Sequence, residues 1–181
     1  IIDAVGTGIN SDGTGYNIGV GQLDLGQFDL QARIFGCCFT AAFLRRDVFE
    51  RIGPLQEGYF AYYEDIDWCY RANARGYEFL TVPSAIVYHR HSGTVRRMMA
   101  YDDKRYLLAR NRLRTILRNY RGVSLLRALR PILINLFEIY NVLRHPLSRP
   151  LKTSLRLLKL NMKILSSLAR TPVLLHANAK I

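Results

Sequence analysis

Three carboxylates fall within four residues in the segment Tyr59-Phe60-Ala61-Tyr62-Tyr63-Glu64-Asp65-Ile66-Asp67-Trp68. Like charges so close repel one another unless a metal, an arginine or a helix N-terminus offsets them. The aromatic residues on both sides argue against a freely solvated surface. A carboxyl group held among like charges and apolar rings has a raised pKa, and such a group suits general-base chemistry. The competing reading is structural: an acidic first helical turn in which Asp67 pairs with Arg71, four residues on. Spacing alone leans slightly toward the structural reading.

Two further groups could carry chemistry. His89 and His91 form a His-x-His pair after a β-rich segment, and on extended chain both rings would share one face and could bind metal. A structural histidine is the commoner outcome of so short a signal. Gly6-Thr7-Gly8 invites comparison with a phosphate cradle. No GxGxxG or Gly-Lys-Ser/Thr pattern follows it and no helix pattern begins there, so a plain flexible loop is expected.

The elements that must position these residues can be read from patterning. A strand is expected near Ile1–Val5, then a long loop of turns through the glycine-rich run ending at Gly26. Residues 32–44 read as buried extended chain interrupted by Gly36, where backbone could approach a ligand closely. A short helix over Arg45–Ile52 closes at Gly53-Pro54. The next helix has Glu64, Asp65 and Asp67 in its first turn, Arg71 and Arg75 toward its end, and Gly76 at C′, an order that suits the helix dipole. Glu78–Val82 and Ala85–His89 read as two short β-rich segments divided by Pro83. A long amphipathic helix is expected from Met98 to Tyr120, with Ala109, Leu113, Ile116, Leu117 and Tyr120 at helical spacing. Two more helical stretches, 125–143 and 151–168, alternate Leu and Ile with Lys and Arg. They are too charged to span a bilayer and fit a helix lying in a membrane interface.

Charge divides the chain of 181 residues. Residues 1–89 carry six Lys/Arg against eleven Asp/Glu, a net of −5; residues 90–181 carry twenty against three, a net of +17, and together they give +12. A basic tail of that size points to a polyanionic partner, nucleic acid or anionic lipid. The cysteines are Cys37, Cys38 and Cys69. An odd count with two adjacent members argues against a disulfide framework, and without a CxxC pair a structural zinc site is not expected. Both fit a reducing, cytoplasmic setting. Because the sequence opens on Ile1-Ile2, we expect it to begin inside a larger protein.

The ordered series Gly36-Cys37-Cys38, Leu44 to Phe49, Ile52-Gly53-Pro54-Leu55, Tyr59-Phe60, Tyr63 to Trp68, Arg71, Gly76-Tyr77, Val87-Tyr88-His89 and Arg110-Asn111 resembles the second half of a family-2 glycosyltransferase. Within that family it is closest to the rhamnosyltransferase-like branch that builds bacterial surface polysaccharides. The resemblance covers about residues 1–120. It implies an α/β architecture, the second half of a GT-A fold over 1–121, followed by basic amphipathic helices over 122–181. It also implies a nucleotide-diphospho-sugar donor, a divalent metal (Mg or Mn) and inversion at the anomeric carbon.

Carried over by position, the resemblance makes Asp65 the base that deprotonates the acceptor hydroxyl. Glu64 and Asp67 would shape the acceptor site, with Arg71 holding Asp67. Gly36 and Cys37 would bring backbone close to acceptor and donor. His89 matches a histidine that can complete the metal's coordination, with His91 as a rival.

The family's donor-binding half and its DxD-type metal motif are missing: Asp24 and Asp29 are too far apart to replace it, and Asp65-Ile66-Asp67 belongs to the base motif. The chain alone is therefore expected not to bind donor properly and to be inactive. The expected acceptor is a glycan or a polyprenyl-linked sugar, and the expected place is the cytoplasmic face of the plasma membrane, bound peripherally to anionic lipid. Nucleic acid is not an expected partner. The alternatives are an Arg-rich helical nucleic-acid-binding module and a non-catalytic interaction module.

Overall fold

The structure is a computed structural model; it describes residues 1–89, 101–122, 125, 133, 136, 137, 140, 141, 144, 158–164, 166 and 167. Chain contacts divide it into two units, one of residues 1–10 and 14–100, the other of 11–13 and 101–181. The long helix falls in the second of these units.

The first unit begins with an antiparallel hairpin, β1 (Gly6–Ile9) against β2 (Gly15–Ile18). A strand stands where a flexible loop was expected, and it starts after the Ile1–Val5 segment rather than within it. The physical reason lies in what surrounds the glycines. A Cβ on Gly6 would collide with Ile34, on Gly8 with Tyr16 and on Gly15 with Ile66. These glycines admit neighbouring side chains to the sheet surface; they do not mark turns.

A second antiparallel pair, β3 (Arg33–Ile34) with β4 (Phe79–Leu80), is only two residues long on each side. It is extended by Thr81 N–H to Ala32 O at 2.9 Å and by Ala32 N–H to Thr81 Oγ1 at 2.7 Å. Gly36 then bridges Thr7 of β1, with N–H···O distances of 2.8 and 3.1 Å. Residues 32–44 are less buried than expected, since Ala41 to Phe43 are exposed. Residues 85–89 form no ladder, and Ile86, Val87 and Tyr88 face solvent. β-propensity without a strand to pair with does not make a sheet.

Helix α1 (Arg46–Ile52) ends at Gly53, whose φ is 86°. Helix α2 (Glu64–Asn73) carries Glu64, Asp65 and Asp67 in its first turn. It closes with Gly76 at φ 80°, Tyr77 N–H to Ala72 O at 3.2 Å and Gly76 N–H to Asn73 O at 2.9 Å, the doubled bonding of a Schellman end. The two helices meet over a core of Ile52, Trp68, Cys69 and Ala72, with Phe35, Phe39, Phe49 and Phe79 packed around it. Trp68 stacks on Phe49 at 5.8 Å between centroids and donates Nε1–H to Gly53 O at 2.9 Å.

In the second unit, α3 (Tyr101–Asn119) and the residue after it bury Leu113, Ile116 and Tyr120 as periodicity predicts, and Leu107 besides, while Ala109 and Leu117 are only partly buried. Asn111 and Thr115 are buried on the same helix, which periodicity does not predict. Met98 to Ala100 and most of the two expected tail helices lie outside the described residues. Among the described residues, no helix is long and apolar enough to cross a membrane.

Candidate active site

The chain enters α2 through a strained passage. The 3₁₀ turn Glu57–Tyr59 ends at Phe60, with φ 66° and ψ −61°, and Ala61 N–H bonds Tyr59 O at 2.8 Å. That geometry is the γ-turn of positive φ, rare and strained for a residue with a side chain. Tyr62 (φ 67°) and Tyr63 (φ 72°) are left-handed as well. Three non-glycine residues in this region within four positions cost energy that the surroundings must offset. Part of the offset is visible: Tyr63 is buried, its hydroxyl accepts the Gly15 N–H at 3.2 Å, and its carbonyl accepts the Asp67 N–H at 2.9 Å.

The three acids of the first turn then separate into different roles. Asp67 is 0% exposed. Its Oδ1 accepts the Tyr59 hydroxyl at 3.1 Å and its Oδ2 accepts Arg71 Nε–H at 3.0 Å. Arg71 also donates to Ile52 O at 2.8 Å and Pro54 O at 2.9 Å, so one guanidinium ties α2 to the end of α1. The pairing expected from the four-residue spacing is present. Asp67 itself has no exposed surface.

Asp65 and Glu64 are only partly buried. Loss of water raises the Asp65 pKa, opposed in part by backbone N–H groups of Ile66 and Phe39; the Ile66 N–H lies 2.8 Å from Oδ1. Loss of water likewise raises the Glu64 pKa, opposed in part by its own backbone N–H, with the charge of Asp65 adding to the rise. Glu64 Oε2 is buried and has no hydrogen-bond partner among the described residues. Buried polar atoms are nearly always satisfied, so such an oxygen is a natural acceptor for a ligand hydroxyl.

Gly36 and Cys37 lie beside this turn. The Asp65 charge acts on both the Cys37 and the Cys69 thiols, and Cys69 occupies the space a Gly36 side chain would need, 2.6 Å from its Cβ position. The structure thus brings Asp65, Glu64, Gly36 and Cys37 into one neighbourhood.

His89 has a different setting. Its Nδ1 lies 2.8 Å from Asp3 Oδ2, with both side chains about one-third exposed. A carboxylate on Nδ1 fixes a ring's tautomer and orientation, an arrangement common behind metal-ligating histidines. Yet among the described residues no group of three or more His, Cys, Asp or Glu could hold a metal ion. His91 lies outside them.

Tyr59, Tyr63, Asp3 and Cys69 were not singled out by the sequence. Cys69 was within reach, four residues after Asp65 and so on the same helical face. The other three act across turns or long separations that no periodicity marks.

No protein-family model, no curated protein and no solved structure matches the chain.

Proposed function

We propose that this chain supplies the acceptor side of an inverting glycosyltransferase, with Asp65 as the general base. The supporting observation is the start of α2: a carboxyl whose pKa is raised by burial, just after a strained stretch of backbone, beside a buried Glu64 oxygen that lacks a donor among the described residues. Strain and raised pKa values concentrate at functional sites.

The chemistry follows from that arrangement. The acceptor hydroxyl donates toward Glu64 Oε2 or Asp65 as it binds. Asp65 takes its proton while the hydroxyl oxygen attacks the anomeric carbon in line, and the nucleoside diphosphate leaves from the opposite face. A carboxyl with a raised pKa is the stronger base for this transfer, provided it is ionised at working pH. Asp67 and Arg71 hold the helix that carries it, and the Gly36–Cys37 backbone borders the sugar. A divalent cation, Mg or Mn, would meet the donor's diphosphate, and His89 is the residue the resemblance would give it.

The second part of the proposal is the partner of the basic tail. Leu133, Leu136, Phe137 and Tyr140 are exposed, and the Arg144 guanidinium lies 5.8 Å from the Tyr140 ring centre. Apolar and aromatic residues beside arginine suit the surface of an anionic bilayer, where a polyprenyl-linked acceptor would be met.

The deciding experiment is Asp65→Asn in the transferase that contains this chain. General-base catalysis contributes about 10²–10⁴-fold, so transfer should fall by that order while calorimetry shows donor binding retained. Unchanged turnover would remove Asp65 as base. Flotation with anionic and neutral liposomes tests the tail, and equal binding to both would remove electrostatic docking.

A further inference from the structure

Cys37 and Cys69 meet beneath the Gly36 bridge. Cys69, on α2, is 1% exposed, and its sulfur lies 3.9 Å from the Cys37 carbonyl oxygen. Cys37 is half-buried, so it is the member of the pair that solvent reaches. Both are free thiols. Cys38 points elsewhere, its thiol donating to Thr40 Oγ1 at 3.2 Å.

The two sulfurs are chemically unequal. A hydrogen bond from the Cys69 thiol lowers the Cys37 pKa, against opposition from burial and the Asp65 charge. The same contact, with burial, pushes the Cys69 thiol up and keeps it protonated. A partly exposed sulfur packed against the cluster that holds a buried second thiol, with its own pKa lowered, is the arrangement in which the first is oxidised and the second resolves it. No step of transfer chemistry uses either thiol.

We propose that Cys37 and Cys69 form a redox-modification site, in which a peroxide-class oxidant reacts at Cys37 and Cys69 closes an intramolecular disulfide. The Cys37 thiolate attacks one peroxide oxygen, the O–O bond breaks, and hydroxide leaves with the bonding pair and takes up the proton lost from Cys37. Cys37 is then a sulfenic acid. The Cys69 sulfur attacks the Cys37 sulfur, an S–S bond forms, the S–O bond breaks, and the departing hydroxyl takes the Cys69 proton as water. Two thiols and one hydrogen peroxide become one disulfide and two waters. The bond would join the segment after β3 to α2 one turn beyond Asp65. The inference holds whether or not the chain is a transferase.

The test uses the full chain, reduced, desalted and exposed to stoichiometric hydrogen peroxide, then alkylated and peptide-mapped under non-reducing conditions. The expected result is loss of two thiols, a cross-linked peptide pair containing Cys37 and Cys69, and reversal by dithiothreitol. Cys38→Ser should behave as wild type. Cys69→Ser should stop at a Cys37 sulfenic acid captured by a cyclic dione. The wild-type map decides the matter even where that variant fails to fold. A Cys37–Cys38 bridge, an intermolecular bridge, first reaction at Cys38, or three unmodified thiols would each overturn the proposal.

Discussion

Arg71 Nε donates to Asp67 Oδ2 at 3.0 Å inside the protein, with the carboxylate fully buried and the guanidinium nearly so. Removing one member of a buried pair strands the other charge, which typically costs about 3–5 kcal/mol. Arg71→Ala should lose that much in urea unfolding. Arg71→Lys should recover little, because an ammonium cannot reproduce the planar fork that reaches Asp67, Ile52 O and Pro54 O together.

Gly36 and Cys69 form a matched small-and-large pair. Gly36→Ala would place a methyl 2.6 Å from the Cys69 sulfur, and overpacking of this kind costs about 1–3 kcal/mol. Adding Cys69→Ala should restore part of the loss. A double-mutant cycle in chemical denaturation should therefore show a coupling of about 0.5–3 kcal/mol, and strict additivity would exclude direct contact.

Phe60 is 79% exposed yet held in a positive-φ γ-turn, so little packing compensates its backbone. Phe60→Gly should raise stability by about 1 kcal/mol, and Phe60→Val should lower it by a similar amount. Thermal melts of the two variants give the comparison. If the proposed function holds, the glycine variant should gain stability while losing turnover, because the strained turn presents Glu64 and Asp65.

The two raised carboxyls predict an unusual pH dependence. Burial raises Asp65 from an ordinary 3.8 and Glu64 from an ordinary 4.5. Between the ordinary and the raised values the folded chain binds more protons than the unfolded chain, so these groups make stability fall as pH rises through that window. Their unfavourable contribution is absent below it and complete above it. Asp65→Asn should accordingly match wild type in acid and melt higher than wild type near neutral pH. Melting curves over a pH series would show it, and a variant destabilised at neutral pH would refute the sign.

Some of this arrangement is legible in the residue order and some is not. The two helices of the first unit could be bounded from sequence because local signals mark them: Gly53-Pro54 after α1, acids in the first turn of α2 and Gly76 after it. The Asp67–Arg71 pair follows from helical spacing alone. The hairpin could not be found that way, because glycine in a turn and glycine beneath a neighbouring side chain look identical in sequence. Nor does charge reveal that Asp67 is withdrawn while Asp65 and Glu64 stay near the surface. That division depends on Tyr59 and on two carbonyls of the α1 end, none of which carries a recognisable spacing. Residues 85–89 show the converse, a local β preference for which the described chain provides no partner strand.

The complete burial of Asp67 changes what a ligand would encounter at the start of α2. Composition suggests a knot of three anions, repellent to any phosphate. In the folded chain one of them is cancelled by Arg71, and the other two surrender their protons less readily than free carboxylic acids do. With one anion of the three paired to Arg71, the net negative charge of this turn is lower than the letters Glu-Asp-Ile-Asp suggest.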